Sequence, residues 1–180
     1  MKHSHSGLSY QLICTADKGG MNLIMFFSFY SRDDEFEGEL LYIQKDHSLY
    51  YEPFCTCAGI SILCSGYTSF DTIHETGAVI HISGLNSKTS WVKKTLNVPI
   101  AKRGSVFAHF DKELSNGMGI DYDRYWLTYY DEEKQYICIG DDCTDERDDC
   151  VEFANNVIAV IRKGDLIAVW AKIREVETSA

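Results

Sequence analysis

The sequence predicts a mainly β fold: a β-rich α+β chain built as an antiparallel sandwich or a strongly bent sheet, with one to three short helices. Three observations predict it. Runs rich in Val, Ile and aromatics alternate with polar turn residues, most clearly in "NVIAVIRKGDLIAVWAKI" (156–173). Stretches with helical period are scarce. Aromatic residues make up 13% of the chain, too many rings for a disordered acidic tail, and only two prolines, Pro53 and Pro99, interrupt it.

Taken in order, strands are expected at 8–15 and at 22–30, the latter holding the most apolar run, "NLIMFFSFY". A hairpin follows at 39–52, then strands at 59–64 and 77–83. In "SKTSWVKKTLN" (87–97), Trp91, Val92 and Leu96 share a helical face and the pattern stops at Asn97 before Pro99, so a short helix is expected. "SVFAHF" marks a strand at 104–110, and "YWLTYYDEEKQYICIG" (125–140) reads as a hairpin turning at "DEEK". A second helix is expected at 145–156, with acids in its first turn, where the helix dipole favours them, and Cys150, Phe153 and Ala154 on one face. In the last hairpin, glycine in Lys163-Gly164-Asp165 supplies the positive φ of a tight turn. Ile158 and Val160 point one way and Val157, Ala159 and Ile161 the other, so a central strand covered on both faces is expected.

At 180 residues the chain is expected to form a single domain, 1–180, with 1–7 as a flexible tail, and to bury roughly 70% of its unfolded surface. Its net charge of −10 exceeds the ~2–8 usual for a small domain. That charge repels nucleic acid and acidic membranes, so neither is an expected direct partner. The apolar runs fall short of the ~20 residues a membrane helix needs, and the N-terminal residues lack the apolar core of a secretory signal; a cytoplasmic protein is expected. Seven cysteines, an odd number, fit a reduced compartment with mostly buried free thiols.

The stretch "DDCTDERDDCVE" (141–152) holds seven carboxylates and one arginine, and so carries six of the ten net negative charges. As a calcium loop it fails, because its third position is Cys143 and its sixth, where the turn needs glycine, is Glu146. As zinc ligands, Cys55 and Cys57 stand too close and Cys138, Cys143 and Cys150 are irregularly spaced. No metal and no cofactor is expected. Nucleophile elbow, phosphate-binding glycine loop and two-histidine metalloprotease helix are all missing from the sequence, so an enzyme is not expected. A cysteine paired with His47, His74, His81 or His109 stays open as the enzymatic alternative, and a zinc-stabilised adaptor as the structural one.

The carboxylates suit a docking surface for a basic protein, which they would steer electrostatically. Asp141, Asp142, Asp145, Glu146, Asp148 and Asp149 form the expected binding set, with Asp33, Asp34 and Glu35 as a second rim and Tyr122 and Trp126 as anchors. The C-terminal third, "YWLTYYDEEKQYICIGDD" followed by "CVEFANNVIAVIRKGDLIAVWAKI", resembles immunity proteins of bacterial contact-dependent growth inhibition and related polymorphic toxin systems. The likeness is one of texture over the last 60 residues or so: a paired-strand ending, an acidic insert and a small chain without catalytic motifs. It implies a one-to-one inhibitor that covers the active site of a cognate toxin's C-terminal domain, commonly a nuclease, and it assigns no role to any single residue.

Overall fold

The structure, a computed structural model, describes residues 23–33, 35–55, 59–65, 67–122 and 126–177; the strand expected at 8–15 lies outside them. Strands make up 58% of the described residues: β1 Met25–Ser31, β2 Glu39–Ile43, β3 Ser48–Glu52, β4 Gly59–Ser65, β5 Tyr67–Ile73, β6 Val79–Leu85, β7 Val92–Lys93, β8 Lys102–Phe110, β9 Gly119–Asp121, β10 Thr128–Asp131, β11 Tyr136–Gly140, β12 Asp149–Ala154, β13 Val157–Arg162 and β14 Asp165–Val176. They form one strongly curled, open half-barrel sheet in the order β1-β8-β12-β13-β14-β2-β3-β6-β5-β4-β9, with β11, β10 and β7 branching from β14.

The expected hairpins are present at β2–β3, β10–β11 and β13–β14. At the last turn both Lys163 and Gly164 take positive φ, 53° and 81°, which matches the twist of the flanking strands. The expectation of a central strand covered on both faces holds for β13, which carries Val157–Ile161 and lies between β12 and β14, and β14 is covered in the same way. It pairs with β13 on one side and β11 on the other, and Trp170 is fully buried. Val169, Ala171 and Ile173 join the main core, while Ala168 and Trp170 face a second cluster with Leu96, Cys138, Ile158 and Val160.

At its far end β14 leaves both neighbours and runs on beside β2, from Ile173↔Leu40 to Val176↔Ile43. Two turn residues make this fork. Asn156 (φ 55°) accepts a hydrogen bond from the Lys172 N–H at 3.0 Å, and Gln135 (φ 56°) accepts one from the Ile173 N–H at 2.8 Å. The last backbone donors before the switch are thereby satisfied.

Neither expected helix forms; among the described residues the helical content is a single 3-10 turn, Lys88–Ser90. In 92–96 the backbone bonds to the β10–β11 hairpin instead of to itself. Val92 and Lys93 pair with Tyr129 and Tyr130, the Lys94 N–H donates to the Tyr130 carbonyl, and the Leu96 N–H donates to the Asp131 carboxylate. Leu96 is thus laid over Trp170 as part of the second cluster. In 145–156 the first four residues turn and Asn155 and Asn156 form the β12–β13 turn, with no helix between them. From Asp149 the chain is a strand between β8 and β13, with Val151 and Phe153 in the main core and Cys150 against the second cluster. Burial on two faces at period two wins over the helical pattern. β5 was not foreseen, because "YTSFDTI" reads as polar. Thr68 and Thr72 are nonetheless buried and donate to the Leu85 and Ile60 carbonyls.

Candidate functional site

The acidic stretch is a loop from β11 to β12, and its own chain organises it. Gly140 opens it with φ 113°; a Cβ there would stand 2.4 Å from the Ile167 carbonyl oxygen, so only glycine fits. Arg162, at the end of β13, clamps the loop's far side. Its Nε and Nη2 donate to the two Asp148 oxygens at 2.8 and 2.9 Å, and its Nη1 lies 3.5 Å from Asp141 Oδ2. The Asp148 side chain is fully buried (0% exposed) and also accepts the Asp145 N–H at 2.7 Å. Arg162 beside it holds its carboxyl below the usual carboxylate range. Arg147 grips Asp145 through Nε and Nη2, both at 3.0 Å, and lowers that carboxyl as well. Lys94 pairs with Asp142, and this pairing pushes the lysine up.

These pairings divide the expected binding set. Asp148 is a clamp residue inside the loop, and Asp142 is mostly covered beneath Lys94. Asp141, Asp145, Glu146 and Asp149 remain exposed, and Glu146 and Asp149 carry no ion pair among the described residues. The second rim is fragmentary. Asp33 and Glu35 are exposed and Asp34 lies outside the described residues. The register Ser31↔Gly104 and Lys102↔Val151 brings this rim to the same end of the sheet as the acidic loop. Between the two run Arg32, Lys102 and Arg103, the last paired with Glu152 at 3.7 Å, so the negative field is interrupted.

Tyr122 and Trp126 are not surface anchors. Tyr122 is 3% and Trp126 8% exposed, and their rings meet edge to face at 5.8 Å. The aromatic bulk that suggested an interface is spent on the core. The Tyr122 hydroxyl donates to the Asp165 carboxylate and accepts the Leu166 N–H at 3.1 Å. Trp126 does reach the surface at the wall of a 580 Å³ groove beside the loop, with Leu127, Tyr129, Gly140, Asp141, Arg162, Asp165 and Ile167. The groove brings together two of the predicted residues, Asp141 and Trp126.

Asp141, Asp142 and Cys143 place their donor atoms within 4.8 Å of one another, but Lys94 and Arg162 already occupy the two carboxylates. Burial pushes the Cys64, Cys138 and Cys150 thiols up, away from the thiolate a nucleophile needs. Three of the described histidines have hydrogen-bond partners, Tyr42 for His47, the Leu114 carbonyl for His74 and Ser28 for His109, while buried His81 stands 3.3 Å from the Asp71 carboxylate with neither ring nitrogen in a hydrogen bond.

One constellation escaped the sequence reading. Asp71 on β5 accepts hydroxyls from Ser61 (2.7 Å), Ser69 (3.3 Å) and Ser83 (2.6 Å), and His81 Nδ1 stands 3.3 Å from it. Phe54 stacks on the His81 ring at 4.9 Å and Tyr50 on Phe54 at 5.4 Å. Burial favours the neutral acid, but the nearby His81 ring and the hydroxyls of Ser83 and Ser61 outweigh it and hold the carboxyl at about 2. The signal for it was polar residues at period two (Ser69 and Asp71; His81 and Ser83), visible only once the strands are aligned.

No protein-family model matches the chain, and no curated protein matches it.

Proposed function

We propose that this chain is an immunity protein: a one-to-one inhibitor that binds a cognate toxin domain, a basic nuclease, and covers its active site. The observation that carries the reading is the acidic loop 141–149. It is folded in advance by Arg162 and Arg147 and still holds Asp141, Asp145, Glu146 and Asp149 outward. A loop already ordered loses little conformational entropy on binding, and carboxylates facing outward raise the association rate of a basic partner.

The test is co-expression with the product of the neighbouring reading frame. A one-to-one complex on gel filtration and survival of cells carrying that product are expected. Glu146→Lys with Asp149→Lys, which breaks no ion pair among the described residues, should weaken both. Absence of a complex, or full protection by the double variant, would overturn the reading.

A further inference from the structure

We infer that His81 is a proton-operated latch: its charged ring binds Asp71 and holds Phe54 down as a cover, and loss of the proton loosens both. The inference goes beyond the proposed function and uses neither the acidic loop nor a partner.

The latch lies on the face of β5 and β6 turned away from the main core. The register pairs Asp71 with His81 and Ser69 with Ser83, while Phe70 and Ile82, one residue along, enter the core. His81 is 2% exposed, and neither ring nitrogen has a hydrogen-bond partner, although Nδ1 stands 3.3 Å from Asp71 Oδ2. A buried polar group left without a partner is costly. The Asp71 carboxyl, held at about 2, is ionised throughout the neutral range and can only accept. A neutral imidazole carries one proton and can place it on either nitrogen. The imidazolium always presents the Nδ1 proton to Asp71, and with it a charge that strengthens the bond.

The cover acts in the same direction. Phe54, 45% exposed, stacks on the His81 ring at 4.9 Å and 25°, and Tyr50 stacks on Phe54 at 5.4 Å. An aromatic face attracts a cation lying against it. On β3 the Tyr51 ring is 6.4 Å away, with its hydroxyl committed to the Glu37 carbonyl and the Asn155 N–H, and Glu52 is exposed at the strand's end. Half-buried Cys55 follows Phe54, and β6 itself adds the Ser83 hydroxyl, which is spent on Asp71. Burial opposes the charge on His81, whereas the carboxylate and the Phe54 face favour it. Histidine is the side chain that exchanges its proton between about pH 5 and 8. The unfolded chain offers the imidazolium neither Asp71 nor Phe54. The latch therefore contributes while the ring is charged and is lost as rising pH removes the proton.

The experiment follows the full 13C- and 15N-labelled chain by NMR from about pH 5 to 8. The His81 and Phe54 ring signals are expected to shift together with one midpoint, and the cross-relaxation between the two rings to weaken towards alkaline pH. Asp71→Asn should lower the proton affinity of His81 at least about tenfold. Phe54→Leu, at a half-exposed site, should lower it about twofold, so the conclusion does not depend on how well the Asp71 variant folds. In His81→Gln the Phe54 signals should no longer respond to pH. A His81 ring that keeps one charge state across the range, Phe54 signals that do not follow it, or an unchanged midpoint in either variant would overturn the inference.

Discussion

Replacing Arg162 with glutamine tests whether the acidic loop is held by a clamp. The substitution removes two hydrogen bonds, 2.8 and 2.9 Å, from an Asp148 side chain with no solvent exposure. Breaking a buried pair by removing one partner costs about 3–5 kcal/mol. Arg162 is 39% exposed, so solvent screening cuts this to roughly 1–3 kcal/mol. For a domain of this size the corresponding fall in Tm is about 3–10 °C. Asp148→Asn should destabilise by a similar amount, because the arginine then loses its carboxylate. The double variant should cost less than the sum of the two, since neither charge is left without the other. The assay is thermal and urea unfolding of the four proteins in a double-mutant cycle. A coupling energy of about 1 kcal/mol or more is expected. Additive effects, with coupling near zero, would show that the pair does not hold the loop and would refute the reasoning.

Other outcomes follow from the same geometry. Asp71 titrates at about 2 in the fold against an ordinary 3.8. Its contribution, on the order of 2 kcal/mol, is therefore present above about pH 4 and lost as pH falls towards 2. Acid unfolding of Asp71→Asn should show a shallower dependence in that window; an unchanged profile would argue against the Asp71 network. Trp170→Ala, at a fully buried site in the second cluster, should cost about 3–5 kcal/mol in urea unfolding. Tyr122→Phe removes one donor to buried Asp165 and the acceptor of the Leu166 N–H and should cost about 1–3 kcal/mol. Its amide NMR spectrum should stay native-like away from residue 122; a loss below about 0.5 kcal/mol would mean that the Tyr122 hydroxyl does not support the β14 start.

Much of the sheet was legible because its hairpins combine apolar runs with local turn chemistry. Gly164 between Val- and Ile-rich arms is enough to place β13 and β14. The two helices were misread for a common reason. Residues 92–96 and 149–154 take their backbone partners from strands distant in sequence, and a helical spacing of apolar residues cannot register that competition. β5 was hidden because its buried positions are threonines satisfied by carbonyls of neighbouring strands. At the candidate site, the sequence reading found the excess of charge but not its division. Lys94 reaches Asp142 across 48 residues and Arg162 reaches Asp148 across 14. Nothing local to "DDCTDERDD" reveals that Asp142 and Asp148 are already engaged while Glu146 and Asp149 are not. Tyr122 and Trp126 were read as anchors from their acidic neighbours. Aromatic content marks a core as readily as an interface, and here the core took both rings.

The most direct test of the account is the rate at which the chain associates with the basic toxin domain proposed as its partner, measured by stopped flow across a range of salt. If the exposed carboxylates of the loop steer the encounter, the rate should fall at least tenfold between low and high ionic strength. Glu146→Lys with Asp149→Lys should then lower the low-salt rate and flatten its salt dependence. A rate indifferent to salt, or one the charge reversals leave unchanged, would contradict the claim that this loop is the docking surface.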